Sequence, residues 1–455
     1  METAGFNEQL SALRAFQRGG GLRTAAQRRE LLLKLRDIMK AEHEKLLAAL
    51  WNDLHKSESE AVICELALLS QVMRRTLRNL RAWTRPVHRN PGIFNFPASA
   101  LLYPEPYGVA LIGGTWNYPL LLSLEPLIAA IAAGNAAVLR ISDTVPSSAR
   151  MLRKIVAALD SPGVITTELD WSEVLAEKYD FIFYTGNPRM GRAVMLKAAE
   201  SLTPLVLELG GKSPCVVAKD ADIASAARRI VWGKFLNAGQ TCVAPDYLWV
   251  HRDIKDRLMR EIRSVIKAFY GEVPQESPDY GRIVNDFHFK RLLSLLADGR
   301  LICGGETDSL ERYIAPTVVD MVNFDMPVMQ QEIFGPILPV LEFESDDEVI
   351  QQIANRPKPL ALYLFSRDRK LWRRFASETS SGGMAINVTV MQLAAPGLPF
   401  GGVGESGMGA YHGRAGFDAF THYKSILVKR WKYDWPLTLP PFTSWKKALL
   451  KYIGK

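Results

Sequence analysis

The chain has 455 residues, more than one hydrophobic core ordinarily supports, so two or more lobes with a cleft between them are expected. Hydrophobic residues at 48% and charged residues at 23% exclude collagen-like, coiled-coil and disordered classes. The net charge of +8 is spread over Arg-rich segments near the N-terminus and Lys/Arg near the C-terminus, a pattern of solvated helix faces rather than of a nucleic-acid surface.

In chain order, the opening METAGFNEQLSALRAFQRGG shows no basic cap followed by an apolar run, so no secretory signal is read and a cytoplasmic location is expected. Residues 7 to 84 are helical in pattern, with Leu31, Leu32, Leu35, Ile38 and Met39 at spacings of three and four. Five prolines in TRPVHRNPGIFNFPASALLYPEPYG (84–108) suit an extended arm or edge hairpin. Apolar strand-like runs then alternate with helical patterns: GVALIGG, AAVLRIS, DFIFYTG and PLVLELGG, which implies a parallel sheet covered on both faces. No G-x-G-x-x-G follows the first strand, so the usual dinucleotide fingerprint is absent. The run 119–139 approaches a membrane span in length, but Glu125, Pro126, Gly134 and Asn135 interrupt it, and a buried helix followed by a strand is expected.

A second α/β series runs from 213 to about 395, with strands in SPCVVAK, DYLWVH, ILPVLEF, LALYLFS and GGMAIN. At the C-terminus, 443–453 has the spacing of a short amphipathic helix carrying Trp445, Leu449 and Tyr452 or Ile453 on one side. A tail that packs on its own subunit or on a dimer partner is preferred here over a tunnel gate or membrane-surface anchor.

Cys64, Cys215, Cys242 and Cys303 are widely spaced and form no CxxC pair, which fits free thiols in a reducing compartment and suggests no metal site. A lone cysteine is more often an inert core residue than a nucleophile. Cys242, in NAGQTCVAPDY, differs because it follows a helix ending in a turn of small residues, where a reactive group can be held. Three other segments carry chemistry. Glu208 closes an apolar strand in PLVLELGGKSP, Asn117 follows a strand in GGTWNYP, and Glu332 and Phe334 lie in QQEIFGPILP. Taken singly, each has a bland reading: a paired or solvated carboxylate, a turn asparagine, an ordinary loop.

Together these motifs, with DFIFYTGNPRMG and PGLPFGGVGESGMGAYHGRAGFDAFTH, resemble the aldehyde dehydrogenase superfamily over roughly residues 7 to 430, and most of all its short class 3 type. The resemblance implies an α/β fold of two doubly wound parallel-sheet lobes plus a small β oligomerisation arm. It implies a cofactor domain of 1–83 and 107–209, an arm of 84–106 and 407–430, a catalytic domain of 210–406, and a basic aromatic tail, 431–455. Cys242 would attack the aldehyde carbonyl, Asn117 and the Cys242 backbone N–H would hold the oxyanion, and Glu208 would activate water against the thioester. NAD or NADP would be bound by Thr115, Trp116, Arg140, Asp143, Gly186, Asn187, Gly191, Leu209, Gly210, Glu332 and Phe334, with GNPRMG opening a helix beside the phosphates.

VLRISD departs from the family pattern of Lys-Pro-Ser-Glu, with Arg140 for Lys and Asp143 for Glu, and points to use of both NAD and NADP. Tyr118, Trp232 and Thr241 are candidates for an aromatic-walled substrate pocket that favours medium- or long-chain aliphatic or aromatic aldehydes; ordinary core packing is the other reading of Trp232. A homodimer is implied by the resemblance. Three rivals remain: a CoA-acylating enzyme, which has no need of a hydrolytic base at Glu208; a non-catalytic protein on the same fold; and a cysteine hydrolase, for which no histidine partner is apparent.

Overall fold

The computed structural model describes residues 2–431 and 434–453. Its first large sheet has the strand order Gly407–Met408, Leu205–Glu208, Phe181–Thr185, Val109–Gly113, Ala136–Arg140, Val164–Thr167. The last five strands are parallel to one another, and Gly407–Met408 closes the edge antiparallel. Every residue of Val109–Gly113 and Ala136–Arg140 is buried, because a parallel sheet carries helices on both faces and has no polar side. Alternation along the strands divides the core accordingly. Val109, Leu111 and Val138 join Phe6, Leu10 and Leu13 of the helix Glu2–Arg18, whereas Ala110, Ile112 and Leu139 join Leu124, Leu127 and Ile131 of Leu121–Ala133.

The apolar run 119–139 thus forms a core helix and then a strand. The helix stops where Gly134, at φ +96°, turns its N–H back onto the carbonyls of Ala130 and Ile131. Among the described residues no helix is long and apolar enough to cross a membrane.

The second sheet has the order Arg300–Cys303, Thr317–Asp320, Ile337–Phe343, Tyr247–His251, Pro214–Val217, Ala361–Phe365, Gly383–Ile386, parallel except for its first strand. Val164–Thr167, Arg300–Cys303 and Thr317–Asp320 are absent from the strand runs read in the sequence. Each has only four residues and mixes Thr, Arg or Asp with aliphatics, so its strand form comes from pairing with a neighbour rather than from its own pattern.

In a third, antiparallel sheet, Ala98–Pro106 pairs along its length with Thr421–Lys429, and Val87–Arg89 flanks it. The segment 407–430 is not one unit, contrary to the partition expected above. Gly407–Met408 belongs to the first sheet, Gly413–Ala419 packs on the helices Leu121–Ala133 and Ala67–Trp83, and only Thr421–Lys429 joins the arm. In the tail, Ser444–Ile453 is helical as its spacing suggests, but no residue of it is buried and Tyr452 is 81% exposed. Its own subunit therefore does not cover this helix. The preceding stretch is anchored by buried Leu437 and by Trp435 against Phe94.

Candidate active site

A cavity of about 1290 Å³ lies at the C-terminal ends of the first sheet's parallel strands, where open α/β sheets form their crevice, and loops of the second half wall its far side. Cys242, Glu208, Asn117, Glu332 and Phe334 all line it, so segments far apart in sequence meet there.

The loop before Cys242 is built under backbone constraint. Helix Ile223–Phe235 starts on the Asp222 cap, which accepts from Ser225 N, and ends against a turn in which Asn237, Ala238 and Gly239 all have positive φ. Two non-glycine residues in the left-handed region are costly, and such a turn persists only where its surroundings over-determine it. Here they do. Asn237 Nδ2 donates to Asn117 O (2.9 Å) and Gln240 O (3.3 Å), Gln240 Nε2 donates to Asn237 O (3.0 Å) and Arg282 O (2.9 Å), and Gln240 Oε1 accepts from Val284 N (3.0 Å). A side chain at Gly239 would meet Gly335 O at 2.2 Å, so only glycine lets the loops on either side of the cavity close together.

Asn117 sits opposite this loop. One of its two amide N–H groups donates to Gln240 O at 3.1 Å, its Oδ1 accepts from Thr115 Oγ1 at 3.3 Å, and its main-chain carbonyl also receives Lys56 Nζ at 3.0 Å. Lys56 pairs with Glu65 at 2.7 Å, both side chains being fully buried. Neither residue is singled out by the sequence, because charged residues in an amphipathic helical stretch read as solvent-facing.

Both carboxylate oxygens of Glu208 are buried and have no hydrogen-bond partner, and burial holds its carboxyl well above the usual range. Burial, and then the nearby Glu332 and Glu208 carboxyls, likewise push the Cys242 thiol up. Glu332 is raised to about 8, by burial and then by Asp246. Its loop is pinned through Lys212, which bridges to Asp246 and donates to Val328 O and Gln331 O at 3.0 Å, while Asp246 Oδ1 accepts from Ile333 N at 2.9 Å. A Cβ on Gly210 would fall 2.0 Å from Glu332 Oε2, so the carboxyl lies directly against the glycine backbone.

The rest of the wall offers what a dinucleotide requires. Helix Pro188–Ala199 begins there with Asn187 as its cap (Oδ1 accepting from Met190 N at 2.9 Å), the arrangement that receives phosphates. Thr115, Trp116, Asp143, Gly186, Leu209 and Gly210 line the same cavity, with Trp116 edge-on to Phe334 at 5.3 Å. Arg140 lines it too, with its guanidinium over the Trp171 ring and its Nε donating to Leu169 O. Thr185 Oγ1, at the end of an apolar strand run that does not mark it out, is a buried hydroxyl on this wall with no partner. Anion-binding helix terminus, guanidinium, raised carboxyl and spare hydroxyl together fit phosphate and ribose groups.

Four of the expected site residues are not on this wall. Gly191 is buried inside its helix, where a Cβ would strike Leu209. Tyr118 and Thr241 flank Asn117 and Cys242 in sequence but turn to each other, Tyr118 OH and Thr241 Oγ1 being 2.6 Å apart, and Trp232 packs part-buried on the core. In a tight turn consecutive side chains point in different directions, so adjacency to a site residue did not bring these to the cavity. Among the described residues, no group of three or more His, Cys, Asp or Glu is placed to hold a metal ion.

Residues 6–426 match the model of the aldehyde dehydrogenase family. The chain is 44% identical over 432 residues to 4,4'-diaponeurosporen-aldehyde dehydrogenase of Staphylococcus aureus, covering 94% of this chain and 93% of that protein. It is 42% identical to the dimeric NADP-preferring aldehyde dehydrogenase of Canis lupus familiaris, with 93% and 94% coverage. A solved structure of the substrate-bound state of Staphylococcus aureus AldH superposes with a TM-score of 0.96 at 41% identity over 99% of both chains. This chain belongs to the aldehyde dehydrogenase family and is an NAD(P)-dependent oxidoreductase acting on aldehydes.

Proposed function

We propose that the chain oxidises aldehydes to carboxylic acids through Cys242 as nucleophile, Glu208 as base and Asn117 as oxyanion donor. The observation that carries this reading is the buried Glu208 carboxyl, both oxygens unpartnered, on the cavity wall shared with the Cys242 thiol. The Cys242 thiol, held above its usual range, gives its proton to solvent before the sulfur adds, and the raised Glu208 carboxylate is a better acceptor for the later water proton than an ordinary one. Sulfur adds to the carbonyl carbon, and the resulting oxyanion takes the second Asn117 N–H and the Cys242 peptide N–H. The dinucleotide, when bound, supplies the hydride acceptor. Glu208 then takes a proton from water as that water attacks the thioester, which releases the acid and frees Cys242. A CoA-acylating role has no use for an unpartnered carboxylate at this position. Aldehyde-dependent absorbance of the reduced cofactor in wild type, Cys242→Ala and Glu208→Gln tests the scheme; turnover surviving in Cys242→Ala would overturn it.

On the wall, Glu332 and Phe334 serve the nicotinamide ribose and ring, in keeping with the family resemblance. Residues 1–83 and 107–209 form the cofactor domain and 210–406 the catalytic domain. Use of both NAD and NADP is supported by Arg140, whose terminal nitrogens are free of the Leu169 bond, and by the short carboxylate of Asp143 on the same cavity wall. Turnover on NAD alone would refute it. Medium- or long-chain aliphatic or aromatic aldehydes are the proposed substrates, in keeping with the class 3 resemblance, and a panel in which acetaldehyde gives the highest kcat/KM would refute this. A homodimer through the arm is supported by the exposed Phe94, Phe96, Leu427 and Val428 on or beside its strands, and a monomer in sedimentation would refute it. Four free cysteines support a reducing, cytoplasmic setting.

A further inference from the structure

The sequence LHKSESEAVICEL carries two charges that the fold removes completely from water. Ser57 caps the helical stretch, its Oγ accepting from Glu60 N at 3.2 Å, and one π-helical turn, Val62–Leu66, interrupts the winding and brings Glu65 inward. There Glu65 divides its oxygens. Oε1 takes Lys56 Nζ at 2.7 Å, and Oε2 accepts the backbone N–H groups of Leu120 (2.9 Å) and Leu121 (3.0 Å), just beyond Asn117. Lys56 Nζ donates again to Asn117 O at 3.0 Å and lies 4.1 Å from the centre of the Tyr118 ring, whose hydroxyl bonds Thr241.

We infer that Lys56 and Glu65 are positioning residues for the oxyanion site, a buried ion pair that fixes Asn117 and the loop before Cys242 relative to each other. Asn117 is held at its carbonyl by Lys56 and Asn237 and at its amide by Gln240 O. The Cys242 peptide N–H follows Thr241, which reaches the pair through Tyr118. Both donors to the oxyanion are therefore carried on chain that this pair braces. An apolar pair would fill the same space without two desolvation costs, so the geometry the charges impose is what they contribute. An error of about 1 Å at such a site costs on the order of a hundredfold in rate.

This inference rests on the roles proposed for Cys242 and Asn117, and two reactions of the same thiol test it in the full-length protein. With 4-nitrophenyl acetate, sulfur bonds to the acetyl carbon and 4-nitrophenolate leaves by way of an oxyanion. With iodoacetamide, sulfur bonds to the methylene carbon and iodide leaves with no oxyanion formed. In the variant Lys56→Met with Glu65→Leu, acylation should fall by about tenfold to a hundredfold while alkylation keeps its wild-type rate. Equal rates to wild type in both reactions, or equal losses in both, would overturn the inference. Glu65→Gln, which keeps the volume and an acceptor, gives the same readout if the double variant does not fold. In an Asn117→Ala background the pair substitution should add little further loss of acylation; a full additional loss would also count against it. Acylation persisting in Cys242→Ala would instead fell the assignment of the nucleophile.

Discussion

Glu65 and Glu208 are the same residue type and both are buried, but their surroundings are opposite. Glu65 is fully satisfied by an ammonium and two backbone N–H groups, whereas neither oxygen of Glu208 has a partner. A saturated buried carboxylate holds geometry and is bound to it; an unpartnered one costs stability and is free for proton transfer. The same division separates Gln240, with its side-chain amide engaged at both ends, from the unpartnered Thr185 hydroxyl on the cavity wall.

Substitutions on each side test this contrast. The largest effect belongs to the nucleophile: Cys242→Ala should lower aldehyde-dependent cofactor reduction by on the order of 10⁴-fold or more. On the saturated side, Glu65→Ala strands the Lys56 ammonium in the interior and should reduce the unfolding free energy by about 3–5 kcal/mol in urea titrations. A loss under about 1 kcal/mol would mean that Glu65 is no brace.

On the unpartnered side, Glu208→Gln should cut steady turnover by about a hundredfold and leave a burst of cofactor reduction, since thioester formation survives its hydrolysis. Its stability should move the other way. Burial raises the Glu208 carboxyl, so the wild-type fold has its full stability below the ordinary carboxylate range and loses stability as pH rises from there through the raised value. Glutamine does not ionise, so the melting temperature of the variant relative to wild type should climb with pH; a difference independent of pH would break the contrast. Turnover in wild type should rise with pH over that same range, because the base must be ionised to act.

Two smaller effects complete the series. Gln240→Ala leaves the Arg282 carbonyl and the Val284 N–H without partners and should cost about 2 kcal/mol in thermal unfolding. Removing Ser444–Ile453, which has no buried residue, should change subunit stability by less than about 0.5 kcal/mol.

Much of the site was legible because its groups stand where local pattern is strong. Glu208 ends an apolar strand, Asn117 follows another, and Cys242 sits in a run of small residues after an amphipathic helix. Lys56 and Glu65 were not legible, since a lysine and a glutamate nine positions apart in a charged helical stretch look like solvent-facing residues, and only the π turn at Val62–Leu66 takes Glu65 out of that pattern. Tyr118 and Thr241 misled for the opposite reason: beside site residues in sequence, they face each other away from the cavity.

By itself the sequence determined the helices and strands of both halves, apart from the short strands that borrow their form from neighbours, and the chemical types of the reacting groups. Periodicity and side-chain chemistry are local properties. Only the tertiary structure decided which buried groups are satisfied and which are free to react. Glu65 finds its backbone donors 55 and 56 residues away, and the Asn117 carbonyl receives the Asn237 amide from 120 residues away. Protonation and solvation inside a protein are set by such distant partners and by the exclusion of water, and no stretch of sequence contains either.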